Sequence, residues 1–180
     1  MSDKNKRVSA ADDGSVVLRL RGVRLSFADL FTPRAFEEGD DPTYSATFLM
    51  PKEGDPEKNA AYAKQAVAHV IKAGLKIKET ALSADRRCLR DGALKEDTDG
   101  YDDTILFLSS GSKKKIPVVD GDLTPLGEDD GKPYSGCYVN ATVRLWAQDH
   151  KKYGKRVNAQ LRAVQFVKHG EAFGSGGVDV

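Results

Sequence analysis

Read with a period of two, the stretch from Tyr134 to Asp149, YSGCYVNATVRLWAQD, separates into two rows. Cys137, Val139, Ala141, Val143 and Leu145 are uniformly apolar; Tyr138, Asn140, Thr142, Arg144 and Trp146 alternate with them. Such alternation predicts a half-buried β-strand with the first row inward. The same reading finds a strand at Val16–Phe27, where Leu18 and Leu20 give way after Gly22 to Val23, Leu25 and Phe27. A one-residue change of phase at a glycine predicts a β-bulge, which bends a long strand while keeping its apolar face inward. Arg19, Arg21, Arg24 and Ser26 then share the outer face. Further strands are predicted at Thr43–Pro51, with Tyr44, Ala46, Phe48 and Met50 inward, at DTILFLSSG from about Asp103, and from Val157 to about Val167. Lys113–Asp120 reads as a basic turn followed by an edge strand, because Pro117 cannot donate to a central ladder.

Beyond Pro56 the period changes. Ala63, Ala66, Val67, Val70, Ile71, Gly74 and Leu75 follow 3-1-3-1-3-1 spacing, the stripe of an amphipathic helix ending between Gly74 and Glu79. Asp55 is placed to cap it, with Pro56 at its first position and Glu57 in its first turn. Ala28–Pro42, Leu82–Gly100 and Asp120–Pro133 read as loops, and His150–Arg156 as a basic hairpin tip. Residues 1–15 read as a flexible arm and the glycine-rich residues 171–180 as a flexible tail, which leaves 16–170 as one domain. The expected fold is mainly β: an OB-fold five-stranded barrel with an inserted amphipathic helix and long loops. Such barrels bind oligonucleotides across their strand face. An α+β sandwich with the helix on one sheet face gives the same string of elements.

Charge narrows the partners. The 180 residues carry 28 Lys and Arg against 27 Asp and Glu, a net charge of +1, so any nucleic-acid site must be a local patch on a neutral body. No apolar run is long enough for a membrane span, and the polar first residues lack the apolar core of a secretory signal. Two cysteines, Cys88 and Cys137, make neither a disulfide framework nor a zinc site, and a reducing cytoplasm is the simplest home.

Chemistry is sparse. His69, His150 and His169 stand alone, without a second ligand at metal spacing. The acidic run Glu96–Asp103 fails as a calcium loop, since Lys95 and Leu106 fall on ligand positions. No nucleophile elbow, Walker-type loop or dinucleotide fingerprint is present, so neither an enzyme nor a cofactor is expected.

Binding is the better reading. The outer row of Tyr138, Asn140, Arg144 and Trp146 offers flat rings for stacking and a cation for phosphate, the means by which single strands are gripped without sequence readout. Arg19, Arg21, Arg24 and Arg162 lie on other outer rows, Lys151 and Lys152 cap the hairpin, and Tyr153 adds a ring there. Arginine pairs with phosphate and stacks on bases, so arginine on strands with lysine on loops suits a groove that follows a backbone. The plainer reading is that charged outer rows keep a sheet soluble and unpaired. A structural or adaptor protein using the same barrel to hold another protein is the rival in a different class.

Several segments taken in order, VRLSFADLFTPRAF, YSATFLMPK, CLRDGALKEDTDGYDDTILFLSSGSKKKIPVVD, YSGCYVNATVRLWAQD and VNAQLRAVQFVKHGEAFG, resemble a bacteriophage family of single-stranded DNA-binding proteins. The resemblance spans roughly residues 16–174. It implies an OB fold, binding of single-stranded DNA with little sequence preference, and service in phage replication or recombination in the host cytoplasm. It also implies phage replication proteins and further copies of the chain on DNA as partners. Many proteins of this class end in an acidic, aromatic-tipped tail, whereas this chain ends EAFGSGGVDV, with Glu171 and Asp179 its only acids there.

Overall fold

In the computed structural model, which describes residues 6–35 and 37–174, the strands run in chain order as follows. They are β1 (Val8–Ala10), β2 (Val16–Arg34), β3 (Thr43–Pro51), β4 (Leu89–Asp91), β5 (Ile105–Ser112), β6 (Val118–Val119), β7 (Tyr138–His150) and β8 (Gly154–Lys168). Helix α1 (Asn59–His69) and a π-helical turn (Val70–Leu75) lie between β3 and β4. Strands β5, β3, β2, β7 and β8 are neighbours in that order, and parallel pairing of Gly111 with Gln160 joins β5 to β8 and closes the barrel. A closed five-stranded barrel of this order is the OB architecture expected from the pattern.

The alternation in β7 holds along its length. Val139, Ala141, Val143 and Leu145 are buried, and Tyr138, Asn140, Thr142, Arg144 and Trp146 are half-buried on the outside. They meet Leu18, Leu20, Val23 and Leu25 of β2, Phe48 and Met50 of β3, and Leu161 and Val164 of β8 in one core. Each such side chain, fully buried, stabilises the fold by about 1.5–3 kcal/mol. Gly22, at φ 64, marks the predicted bulge: the β2–β7 register shifts between Leu20 and Val23.

The helical stripe has a geometric consequence. Spacing by four advances roughly 400° around an α-helix of 3.6 residues per turn, so the apolar face drifts by about 40° each turn. The wider π turn at Val70–Leu75, with its longer-range hydrogen bonds, turns the face back and keeps Val70, Ile71 and Leu75 buried with Ala63, Ala66 and Val67. Close approach then seats the turn on the barrel. A Cβ on Gly74 would stand 2.8 Å from Cβ of Ala147, and one on Gly14 2.7 Å from Cα of Gly74. Asp55 accepts from the backbone N–H of Glu57 (3.0 Å) and Asn59 (3.1 Å), but it lies three residues ahead of the N-cap, which is Lys58 and not Asp55 as expected. The helix itself begins only at Asn59, because Lys58 is left-handed, which leaves Pro56 and Glu57 ahead of the first turn.

Four expectations change. First, β2 continues to Arg34, so Ala28–Arg34, read as loop, is mostly strand. Second, Phe27 turns outward, while Ser26 stays on the outer row and is covered there by Tyr101. A second register shift follows Ser26, Phe27 takes φ 47, and Ser26 is buried while the ring of Phe27 is 52% exposed. Third, Arg7–Ser15 does not form a free arm. β3 pairs with β2 only from Arg24 onward, so the first half of β2 offers an open edge that β1 fills, Val8 facing Leu18. The Arg7 guanidinium fixes this segment through the Arg19 carbonyl (2.8 Å), the Glu57 carbonyl (2.8 Å) and Asn59 Oδ1 (2.6 Å). Burial lowers the pKa of Arg7 from its usual value, and the neighbouring Glu57 carboxylate opposes that shift. Fourth, Gly170–Gly174 lies against the barrel, with the N–H of Phe173 donating to the Ser135 carbonyl (3.0 Å). The rest of the expected arm and tail, residues 1–5 and 175–180, is outside the described residues.

Candidate functional site

Barrel closure aligns one outward row across strands. Asp29 on β2 faces Ser45 on β3, Ser45 faces Gly111 on β5, Gly111 faces Gln160 on β8, and Gln160 faces Arg144 on β7. Beside it run Ser26, Thr47 and Ser109. These side chains are small because the SSGS run ends β5 and Ser45 and Thr47 are the polar row of β3. The result is a groove of about 1450 Å³ with a low polar floor. Phe27 stands on the β2 side and Trp146 on the β7 side. Four strand spacings separate them, about 19 Å around the surface.

The walls are cationic. Arg87 and Arg90 come from the segment around β4, Arg144 and Arg156 from the β7–β8 pair, Lys95, Lys113 and Lys114 from loops, and Arg34 from the end of β2. The acids lining the groove are Asp29 and Asp99. A chain of net charge +1 thus concentrates positive charge in one place. Backbone carbonyls hold several of these guanidinium groups. Arg87 donates to the carbonyls of Glu79 (2.6 Å) and Leu82 (2.6 Å), while Arg90 and Arg156 each reach the carbonyl of Asp85 (3.3 Å). A carbonyl fixes a guanidinium without neutralising it, so Arg90 and Arg156 keep their charge for an anion, while Arg87 also meets the Glu79 carboxylate at 3.7 Å. Arg144 likewise meets a carboxylate, Asp13 Oδ2 at 3.1 Å. The Ser15 hydroxyl and N–H, and then Arg144, hold the Asp13 carboxyl below the usual carboxylate range.

Cys88, also lining the groove, offers no nucleophile. Burial pushes its thiol up to about 12, so it stays protonated at neutral pH. Among the described residues no cluster of three or more His, Cys, Asp or Glu is placed to hold a metal ion. No helix among them is long and apolar enough to cross a membrane.

The residues expected from sequence separate into groups. Arg144 and Trp146 line the groove. Lys151, Lys152 and Tyr153 form the hairpin tip, where Arg86, neighbour of Arg87, donates to the Tyr153 carbonyl. There the Lys152 ammonium lies 5.4 Å from the Tyr153 ring centroid. Arg162 is exposed at a register shift in β8 and donates to Gln160 (3.1 Å), which faces the groove. The remainder lies elsewhere. Arg19 and Arg21 sit where β1 and α1 approach β2; Arg19 donates to the Lys6 carbonyl (3.1 Å), and the backbone of Arg21 is held on both sides by Asn59. Asn140 accepts from the N–H of Gly22 (3.0 Å), satisfying a donor that the bulge takes off the ladder. Arg24 donates to the carbonyls of Gly136 (3.1 Å) and Glu171 (2.8 Å) and lies 5.8 Å from the Tyr138 ring and 4.2 Å from that of Phe173. Strand shear thus divides the expected arginine rows instead of lining one groove with them.

Several lining residues lie outside the expected set: Arg87, Arg90, Lys95, Arg156 and Phe27. The signal for the first two was the run RRCLR, Arg86–Arg90, inside a stretch that reads as irregular. Phe27 carried the opposite signal, being in phase with the core. Its left-handed backbone costs a non-glycine residue about 1–2 kcal/mol.

Comparison with known proteins agrees with this architecture. The Enterobacter phage Enc34 single-stranded DNA-binding protein family matches residues 15–179. "Putative protein p50" of Acyrthosiphon pisum secondary endosymbiont phage 1 is 42% identical over 168 residues, covering 89% of this chain and 88% of that protein. The single-stranded DNA-binding protein from bacteriophage Enc34, solved in complex with single-stranded DNA, superposes with a TM-score of 0.75 at 26% identity, over 96% of this chain and 97% of that one. The single-stranded DNA-binding protein gp2.5 of bacteriophage T7 shares the fold, with a TM-score of 0.54 at 16% identity and 91% coverage of both chains. An OB barrel of this strand order, matched along nearly its whole length by one family, leads to a single assignment: the chain belongs to the Enterobacter phage Enc34 single-stranded DNA-binding protein family.

Proposed function

We propose that the protein binds single-stranded DNA with little sequence preference along the groove across β3, β5, β8 and β7. It does so without catalysis, in the service of phage DNA replication or recombination in the host cytoplasm. One observation carries the reading: the positive charge of a near-neutral protein is gathered around a low polar floor bordered by Trp146 and Phe27. Arg87, Arg90, Arg144 and Arg156 neutralise phosphates, Trp146 stacks on a base, and the small residues Ser45, Ser109 and Gly111 let the strand lie close. Lys151, Lys152 and Tyr153 extend the contact beyond the hairpin end. The Enc34 relative, solved with single-stranded DNA, supports this use of the fold.

The test is a titration of Trp146 emission, from the chain's one tryptophan, with oligo-dT of graded length. Binding quenches the indole, and log affinity falls with log salt with a slope of roughly −0.7 per phosphate contacted. An unquenched indole, or an affinity indifferent to salt between about 50 and about 200 mM, rejects the reading.

A further inference from the structure

Phe27 is an anomaly of burial and of backbone at once. Strand alternation after Leu25 would turn it into the core, yet φ 47 and the shift after Ser26 turn it out, 52% exposed, on the groove. Its surroundings hold this conformation. Ser26, paired with Thr47 on the outer row, accepts from the Tyr101 hydroxyl (3.0 Å), and the N–H of Ala28 donates to Ser135 Oγ (3.2 Å). Tyr101 supports the ring from one side, centroids 6.1 Å apart, and packs edge-on against buried Phe107. The Lys95 ammonium hangs 5.2 Å from the Phe27 centroid. A ring backed by a packed aromatic cluster, exposed on the groove and beside a cation, has the parts of a nucleotide subsite: a π-face for a base and a charge for its phosphate. Strained conformations persist where surrounding structure over-determines them, and they gather at ligand sites.

We infer that Phe27 is a second base-stacking platform, with Lys95 as its phosphate contact, holding the nucleotide at the β2 end of the groove opposite Trp146. This rests on the groove binding single-stranded DNA. It adds that the strand is gripped at two ends rather than by the β7 row alone.

The decisive variant is Phe27→Gly, which removes the ring and relieves the left-handed backbone together. Affinity for oligo-dT should fall roughly 5- to 150-fold, the range of one stacked base. The thermal midpoint should hold or rise, since glycine adopts this φ freely. The shortest oligo-dT that reaches full affinity should also shorten, because one end no longer holds a nucleotide. Phe27→Tyr should bind as the parent does. In a Trp146→Phe background, Phe27→Trp should place the sole indole at the β2 end, with emission quenched by oligo-dT. Unchanged affinity and site length in Phe27→Gly, or an unquenched indole at position 27, overturns the inference. If Trp146→Ala still weakens binding in that case, the groove reading survives and only the second platform falls. If the parent protein itself fails to bind oligo-dT, both fall.

Discussion

The two ends of β7 carry the same chemistry and use it differently. Tyr138 and Trp146 share one outward row, separated by eight residues or about 27 Å of strand, and each has an arginine nearby. At the Tyr138 end, Arg24 reaches across to the Gly136 and Glu171 carbonyls and lies over Phe173, while the Lys168 ammonium stands 4.8 Å from the Tyr138 ring. That ring and that guanidinium hold the segment Gly170–Gly174 against the barrel. At the Trp146 end, no such segment returns among the described residues. Arg144 meets one carboxylate, Asp13, and both it and the indole face the groove. An aromatic beside an arginine is therefore binding surface or internal clasp according to which segment packs over it.

The comparison breaks most sharply at Gly136. Its φ is 110, and a Cβ there would stand 2.2 Å from the Glu171 carbonyl oxygen and 2.8 Å from Cα of Ala172. Gly136→Ala should therefore cost about 2–4 kcal/mol in urea unfolding and release the C-terminal segment to proteolysis. Gly22→Ala is the control: φ is 64 with open space around it, and the expected loss is only about 1–2 kcal/mol.

Next in size are the rings. Trp146→Ala should weaken oligo-dT binding roughly 5- to 150-fold with little change in melting, measured by anisotropy and thermal unfolding. Tyr138→Ala should do the reverse, lowering the melting midpoint while affinity stays within about threefold, well below the loss of a stacked base. Equal effects on affinity would erase the distinction between the ends.

The arginines sharpen it. Arg144→Gln should lower the slope of log affinity against log salt by about 0.7, the share of one phosphate. Arg24→Gln should leave that slope alone and destabilise by about 1–3 kcal/mol, through loss of its charged donors to two carbonyls.

The smallest effect belongs to Asp13. It competes with phosphate for Arg144, so Asp13→Asn should tighten binding by less than about fivefold near neutral pH. Because its folded pKa is lowered, any stability that Asp13 contributes is present above its unfolded value and lost as pH falls through the folded one. Over pH 5–8 the parent and the variant should therefore keep a constant ratio of affinities, and convergence within that window would show that Asp13 does not hold Arg144.

Local pattern carried the barrel. Alternation in β7, the Gly22 phase change, the helical stripe and the Pro117 edge strand each follow from side-chain period or backbone chemistry within a few residues, and each is present in the fold. The short strands β1 and β4 were not legible, since three residues show no period; they exist because β2 and β5 offer edges to pair with. Trp146 and Arg144 were legible as candidates because they belong to a strand with an unusual outer row. Arg87, Arg90 and Lys95 were not, because the segment that carries them has no period and reaches the groove only through pairing of β4 with β5 and the bridge from Arg87 to Val157.

Sequence alone determined which residues face inward along most of each strand, Phe27 excepted, where the long first strand first bends, and that rings and cations occupy outer rows. These follow from period, glycine and hydrophobicity, which act locally. Only the tertiary structure decided which outer residues meet. Barrel shear places Arg144 beside Gln160 and Gly111 but leaves Arg24 under the returning chain, and the shift after Ser26 turns Phe27 from the core onto the groove. Such proximity depends on contacts between residues far apart in the chain, which no local period encodes.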